Sequence, residues 1–187
     1  MLIIGITGAL GAGKGTIAKF LVEKKGFKHY SAREFITKEI KRRGMPVNRG
    51  SMLFVANELR KKHSPSYIAE KLFERASQSG KDCVIESLRT VGEVNSLKKK
   101  ENFYLFAVYA DPRIRYERIS ERGNETDNVS FEEFRKNEER EMTNENPHKQ
   151  NLSKCISMAD YVFENNSTIS ELYKKADAAI NKIRKRT

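Results

Sequence analysis

The densest concentration of potential chemistry lies at the start of the chain, in LIIGITGALGAGKGTIAKF, residues Leu2 to Phe20. Gly8, Gly11, Gly13 and Gly15 surround Lys14, with Ala9, Leu10 and Ala12 between them and Thr16 following. Glycines let the backbone adopt positive φ and approach an anion closely, so that successive N–H groups point inward as a nest. The apolar run Leu2-Ile3-Ile4-Gly5-Ile6-Thr7 before the loop reads as a strand, and Thr16-Ile17-Ala18 begins an amphipathic helical pattern. A helix N-terminus placed against the loop adds its own partial positive charge. Strand, loop and helix in this order make a phosphate cradle. Residues Gly8 to Thr16 are therefore the expected phosphate-binding backbone, and Lys14 the cation that reaches the β- and γ-phosphates.

This is the P-loop pattern with one departure. The usual motif places Ser or Thr directly after the Lys to hold Mg²⁺. Here Gly15 stands in that place and Thr16 comes one residue later. The GKGT variant resembles adenylate kinase and its nucleoside monophosphate kinase relatives. That resemblance implies ATP and Mg²⁺ as cofactors, a metal held largely through waters, and a Thr16 that contacts the α-phosphate.

The elements that must position this loop alternate along the chain. The helix after the loop spans about Lys14 to Lys25, with Gly26 as its C-cap signal. Phe27-Lys28-His29-Tyr30 reads as a second strand, and Ser31 with Glu34 as a capping box opening a helix to Arg43. Helices are predicted over Arg49 to Lys62, with Leu53, Ala56 and Leu59 as its apolar face, and from Ser64-Pro65 to Gly80, with Ile68, Leu72 and Ala76. Cys83-Val84-Ile85 is a short apolar strand, and a helix spans Val91 to Lys100. Phe103 to Tyr109 is continuously apolar, as suits a parallel strand buried on both faces. Asp111-Pro112 caps a helix to Arg122, Ser130 caps another over Phe131 to Met142, Tyr161-Val162-Phe163 is the last strand, and a terminal helix runs from about Ser167 to Arg184. Alternating strands and helices argue an α/β fold with a parallel sheet. With the resemblance, the expectation is a single domain over 1–187. It has the three-layer P-loop NTPase fold, with a parallel five-stranded sheet, helices on both faces, an acceptor-binding helical region near 32–80 and a small lid near 123–148.

Ligands of such sheets bind beyond the carboxyl ends of the strands, so the residues that follow each strand matter most. Glu86 ends the third strand, where an acid can order a water on Mg²⁺, and Arg89 could grip a phosphate bidentately. VIESLRT resembles the LLDGFPRT segment of adenylate kinases, with Glu86 in place of the Asp. Ser31, Arg33 and Glu34 stand where the same kinases bind the monophosphate, and Arg42, Arg43 and Arg49 are further candidates for the acceptor phosphate. ERISERG, which contains Arg118 and Arg122, resembles the ERL…R signature before the kinase lid, which implies a catalytic role for both. Arg113 and Arg115 on the same helix read as a solvated face, and Arg135 and Arg140 as lid candidates. ADYVFENNSTISELYKKADAAI resembles the tail of dephospho-CoA kinases and places Asn166 near the adenine. VIESLRTVGEV and NELRKKHSPSYIAEKLFERA are similar to P-loop domains of some dCMP-deaminase-like proteins and deoxynucleotide kinases. Together the resemblance spans nearly the whole chain; it specifies a P-loop kinase and does not specify the acceptor.

Bulk properties fit this reading. At 187 residues the chain is one domain, and its net charge of +11 suits an enzyme that attracts multiply phosphorylated substrates. No helix-turn-helix, zinc-finger or RNA-binding-sheet signature supports nucleic acid as the main substrate. Cys83 and Cys155 read as buried free thiols, no Cys/His cluster has metal-ligand spacing, and His29, His63 and His148 are isolated. No apolar run reaches membrane-spanning length and no secretion signal is visible, so a cytoplasmic monomer or homodimer is expected. The expected activity is transfer of the ATP γ-phosphoryl group to a small-molecule nucleotide acceptor, a nucleoside or deoxynucleoside monophosphate. The alternatives are a dephospho-CoA kinase, a nucleotide-sensing P-loop module that regulates a partner, and a nucleic-acid-linked ATPase.

Overall fold

A computed structural model describes residues 1–123 and 129–186 of the chain. β1 (Ile3–Thr7), β2 (Lys28–Ser31), β3 (Cys83–Glu86), β4 (Phe103–Tyr109) and β5 (Tyr161–Glu164) form a five-stranded sheet in the order β2-β3-β1-β4-β5, and every pairing is parallel. The helices between them are α1 (Lys14–Lys25), α2 (Ala32–Arg42), α3 (Arg49–Lys62), α4 (Tyr67–Gln78) and α5 (Val91–Lys98) in the first part of the chain. They continue with α6 (Pro112–Arg122), α7 (Phe131–Met142), α8 (Leu152–Ser157) and α9 (Ile169–Arg184). The order places β1, which feeds the glycine loop, at the centre of the sheet, with the β1–β3 and β1–β4 crevices on either side of it.

Successive residues of a strand face opposite sides of a sheet, and that period sorts the core into two layers. Ile3, Cys83, Ile85, Phe103 and Leu105 pack with α2 to α5 and with Cys155 of α8. Ile4, Ile6, Val84, Phe106, Val108 and Phe163 pack with α1 and α9 on the other face. Fully burying each such aliphatic or aromatic side chain contributes ~1.5–3 kcal/mol, so both layers are needed to hold β1 in place. Cys83 and Cys155 are both free and buried, and desolvation pushes the Cys155 thiol up to about 12.

Local signals explain most element ends. Gly26 (φ 73°) closes α1 in a left-handed conformation, with its N–H on Val22 O. Ser31, Ser130 and Thr168 side chains cap α2, α7 and α9 by accepting backbone N–H groups. Four expectations need correction. On α3 the buried residues include Val55, Ala56 and Leu59, whereas Leu53 is exposed; the i, i+4 row wedged between α2 and α4 runs through Val55 and Leu59 instead. Asp111 stands at the N-cap of α6 without a side-chain cap bond, and its own N–H donates to Asn166 Oδ1. α8 is absent from the sequence reading, because six residues are too few for a helical period to declare itself. Arg115 of α6, read as solvated, is buried. Of the segment expected as a lid, residues 124–128 lie outside the described residues, and α7 occupies much of the rest.

Candidate functional site

β1 enters the glycine loop through Thr7, whose hydroxyl donates to Leu88 O at 2.8 Å and ties the loop to the segment after β3. Gly8, Gly11 and Gly13 have φ of 138°, 77° and 107°. A Cβ on Gly8 would run into Val108 O, and one on Gly11 would stand 2.5 Å from Arg115 O, so both positions demand glycine for conformation and for space. α1 begins at Lys14 with Gly13 at its N-cap and no side chain capping it, which leaves its positive end open to a ligand. Lys14 is buried and its Nζ donates to Gly8 O and Ala9 O, both at 2.8 Å. Desolvation, assisted by the Arg89 charge, lowers the Lys14 pKa to about 7.

β3 lies beside β1 in register Ile6↔Glu86, which brings Glu86 to the loop. Glu86 Oε1 lies 3.8 Å from where a Cβ on Gly15 would stand, at the mouth of α1. Its other oxygen pairs with His29 Nε2 at 2.9 Å. Burial works to raise the Glu86 carboxyl; the His29 hydrogen bond and charge, with Lys14 and Arg89, outweigh it and hold the pKa below the ordinary value. Correspondingly the Glu86 hydrogen bond raises the His29 imidazole. His29 is a neighbour that sequence reading missed, since only the β2–β3 pairing brings them together. Directly after Glu86 the chain turns at Ser87, which has a φ of 74°, unusual for a residue with a side chain. Ser87 and Leu88 N–H groups both donate to Ile6 O, and the turn sends Arg89 back across the end of β1.

Arg89 Nη1 donates to Glu141 Oε2 of α7 and to Gln150 Oε1, each at 2.9 Å. Its backbone is fixed by Glu93, whose Oε2 accepts the N–H of Arg89 (2.8 Å) and of Thr90 (3.0 Å), while Oε1 pairs with buried Arg60. The other oxygen of Glu141 accepts from Arg49 Nη2 at 2.7 Å. The charges of Arg89 and Glu86 both reach Lys14, and those of Lys14 and Arg89 both reach Glu86, so the three groups share one site.

The remaining candidates scatter more. Ser31 caps α2, and Arg33 and Glu34 are exposed on its first turn. Arg118 Nη2 donates to Asn165 O at 3.0 Å, and Arg122 is exposed at the end of α6. Asn166 is engaged with Asp111 N–H and with Glu164 Oε1. Its neighbour Asn165 is the one against the loop: buried, with Nδ2 donating to Ala12 O at 2.9 Å. Arg115 also braces the loop, donating to Leu10 O (3.2 Å) and Ala110 O (2.7 Å) and pairing with Glu138 of α7. The arginine spacing that suggested a solvated face hid this, because the loop and α7 come from distant parts of the chain. Arg135 pairs with Glu138 and Arg140 is exposed, so the groups of α7 that meet the site are its carboxylates. A cavity of about 200 Å³ lined by Phe35, Arg42, Arg43, His63 and Tyr67 includes none of the residues around the loop.

Asn165→Ala is expected to destabilise the fold by ~1–3 kcal/mol, because the buried Ala12 carbonyl would lose its donor. Denaturant unfolding measures it, and an unchanged midpoint would mean that the loop is held without this contact.

The residues present suit ATP and Mg²⁺. The loop has the close-approach backbone that phosphates need, and Glu86 with Thr16 offers two oxygen donors at the mouth of α1. Mg²⁺ ordinarily takes one or two protein carboxylates, with phosphate oxygens and waters completing its octahedron. Among the described residues no group of three or more His, Cys, Asp or Glu could hold a metal by itself, so the phosphates would have to share the ion. No helix among them is long and apolar enough to cross a membrane.

A family profile described as AAA domain matches residues 4–144. A UPF0200 protein of Methanosarcina barkeri is 31% identical over 178 residues, covering 94% of this chain and 91% of that protein. Among solved structures, dephospho-CoA kinase from Campylobacter jejuni superposes with a TM-score of 0.56 at 15% identity, covering 98% of this chain and 97% of that one. Shikimate kinase from Acinetobacter baumannii in complex with shikimate gives 0.55 at 15% identity, covering 100% and 95%. At these identities the structural likeness is one of fold, and the fold is that of P-loop kinases.

Proposed function

The chain belongs to the AAA-domain family of P-loop NTPases and to the UPF0200 proteins, and from that premise we propose that it is an ATP-dependent nucleotide kinase, acting on a nucleoside or deoxynucleoside monophosphate. The observation that carries the reading is the convergence of Lys14, Glu86 and Arg89 at the ends of β1 and β3, within reach of one another's charge. In the transfer, a phosphate oxygen of the acceptor forms a bond to the γ-phosphorus as the bridge to the β-phosphate breaks, and ADP leaves. Little proton chemistry is required when the acceptor is already an anion, so positioning and positive charge do most of the catalysis.

The chain's residues divide that work. The Gly8–Thr16 backbone cradles the phosphates, and Lys14 leaves the carbonyls of Gly8 and Ala9 to donate to the β- and γ-oxygens. Glu86, oriented by His29, and Thr16 are the residues that would hold Mg²⁺ beside the phosphates. When bound there, Mg²⁺ would supply charge neutralisation to the phosphates. Arg89 grips the acceptor, and Arg118 and Arg122 stabilise the transferring group or the adenine, near which Asn166 lies. Ser31, Arg33 and Glu34 border the acceptor within the helical region 32–80, and the segment around 123–148 serves as the lid.

The test is ADP release from Mg·ATP with the common NMPs and dNMPs, dephospho-CoA, and a control without acceptor. Strong stimulation by one monophosphate is expected. Stimulation by dephospho-CoA alone would move the acceptor to a ribose hydroxyl, and nucleotide binding with no stimulation would replace the enzyme with a sensor.

The lowered Lys14 pKa makes a second prediction. At pH 8, one unit above about 7, roughly nine-tenths of Lys14 in the free protein is neutral. Phosphate charges favour the ammonium, so nucleotide binding raises this pKa and draws a proton from solution. Calorimetry of ATP binding at pH 8 in buffers of different ionisation enthalpy should show uptake of close to one proton, falling towards zero well below pH 7. Uptake that persists in Lys14→Ala would assign the proton elsewhere.

A further inference from the structure

The carboxylate of Glu141 bridges two guanidinium groups that come from different parts of the chain. Its Oε1 accepts from Arg49 on α3 (2.7 Å) and its Oε2 from Arg89 after β3 (2.9 Å). All three side chains are partly shielded, with exposures of 35%, 23% and 16% for Arg49, Arg89 and Glu141. One turn earlier on α7, Glu138 pairs with Arg115, the arginine that grips Leu10 O of the glycine loop. The cleft between the loop shoulder and this face of α7 is only about 10 Å³, room for no more than a water. The helix that reaches the site therefore brings anions to the cations a phosphorylated substrate would use.

We infer that Arg49 and Arg89 form an oxyanion subsite for the acceptor, and that Glu141 is a built-in competitor that an incoming anion must displace. Two guanidinium forks from separate elements, spanned by one small planar oxyanion, make a geometry that a phosphate monoester or a substrate carboxylate can reproduce. The charge balance favours exchange. Two guanidinium charges face the single carboxylate charge of Glu141. A dianionic phosphate satisfies this site more fully than the carboxylate does. Acceptor binding then frees the C-terminal turn of α7, while the Glu138–Arg115 pair still ties the helix to the glycine loop. Of the arginines the sequence offered for the acceptor phosphate, Arg49 is thereby set apart from Arg42 and Arg43, which pair with Glu39, and α7 reports acceptor occupancy to the nucleotide side. This inference rests on the kinase reading for the identity of the anion as the acceptor's; the subsite itself does not require turnover.

The experiment separates the two. Binding of Mg·AMP-PNP is measured first and fills the glycine loop; failure there sinks the kinase reading alone. Inorganic phosphate and acetate are then titrated separately into the nucleotide-saturated protein and its variants. Removing a competitor that occupies the site about nine-tenths of the time tightens ligand binding about tenfold, so Glu141→Gln should bind phosphate about tenfold more tightly than the parent. Adding Arg49→Gln to that variant should reverse the gain. Hydrogen exchange over 138–142 should quicken when phosphate binds the parent protein. Preferred binding of acetate would assign the subsite to carboxylate acceptors, with the same competition by Glu141. Unchanged or weaker phosphate binding by a folded Glu141→Gln protein, or slower exchange on α7, would show that Glu141 is a permanent bridge and overturn the inference.

Discussion

Lys14→Ala is expected to lower phosphoryl transfer by at least about 10²–10³-fold while leaving the protein folded. Lys14 is the cation seated inside the glycine loop, and its Nζ rests on the carbonyls of Gly8 and Ala9, the residues that open the cradle. Truncation removes the loop's own cation from the β–γ bridge, and the nearby Arg89 is engaged by Glu141 and Gln150. Stability should change far less. Burying the ammonium is unfavourable enough to lower its pKa to about 7, so truncation removes a desolvation cost together with two hydrogen bonds. The two carbonyls then border an open cradle that water can enter. A shift in Tm of a few degrees, roughly that of a ~1 kcal/mol change, is expected. ADP release with the best acceptor and a thermal melt check both halves. Near-normal turnover by a folded Lys14→Ala protein would refute the assignment.

The largest effect on stability is expected from Glu93→Ala. Glu93 and Arg60 form an ion pair whose side chains are 2% and 3% exposed. The same carboxylate accepts the N–H groups of Arg89 and Thr90, while Thr90 Oγ1 accepts the N–H of Glu93 and closes a capping box at the start of α5. Truncating Glu93 leaves a buried guanidinium and two backbone donors without their acceptor. Breaking a buried pair from one side destabilises by about 3–5 kcal/mol. For a chain of this size that is a fall in Tm on the order of 10 °C. Removing both charges, as Arg60→Met with Glu93→Leu, should recover part of the loss, because no unpaired ion remains; the Arg89 and Thr90 donors would stay unsatisfied. Chemical denaturation of the two single variants and the double variant measures the coupling. A loss under ~1 kcal/mol for Glu93→Ala would mean that water or rearrangement replaces the pair. Arg89 depends on this carboxylate for its backbone position, so the variant should also weaken acceptor use at temperatures where it remains folded.

The two predictions differ in how visible they were before the structure. Lys14 announces itself, because a glycine loop between an apolar strand and a helix leaves a lysine few other uses. Glu93 reads as one more charge in VIESLRTVGEV, and nothing local says that its partner is Arg60 on α3. The same holds for His29 beside Glu86, for Asn165 rather than Asn166 against the loop, and for Arg115 behind Leu10. Each pairing joins residues remote in sequence, and a periodicity argument has no access to it. Leu53 shows the limit on a single helix: several apolar rows were available on α3, and packing against α2 and α4 chose the one through Val55 and Leu59.

By itself the sequence determined the parallel α/β fold, the position and conformation of the phosphate loop, and the strand ends where chemistry gathers. Those follow from short-range physics: glycine's tolerance of positive φ, capping residues, and apolar runs of strand or helix length. Tertiary structure alone decided which charges neutralise one another around the loop. Arg115, Arg89 and Arg49 are paired with α7 carboxylates that come to them only when the chain closes up, so the sign of the field at the site follows from packing. Electrostatic energy depends on distance and burial, and folding sets both.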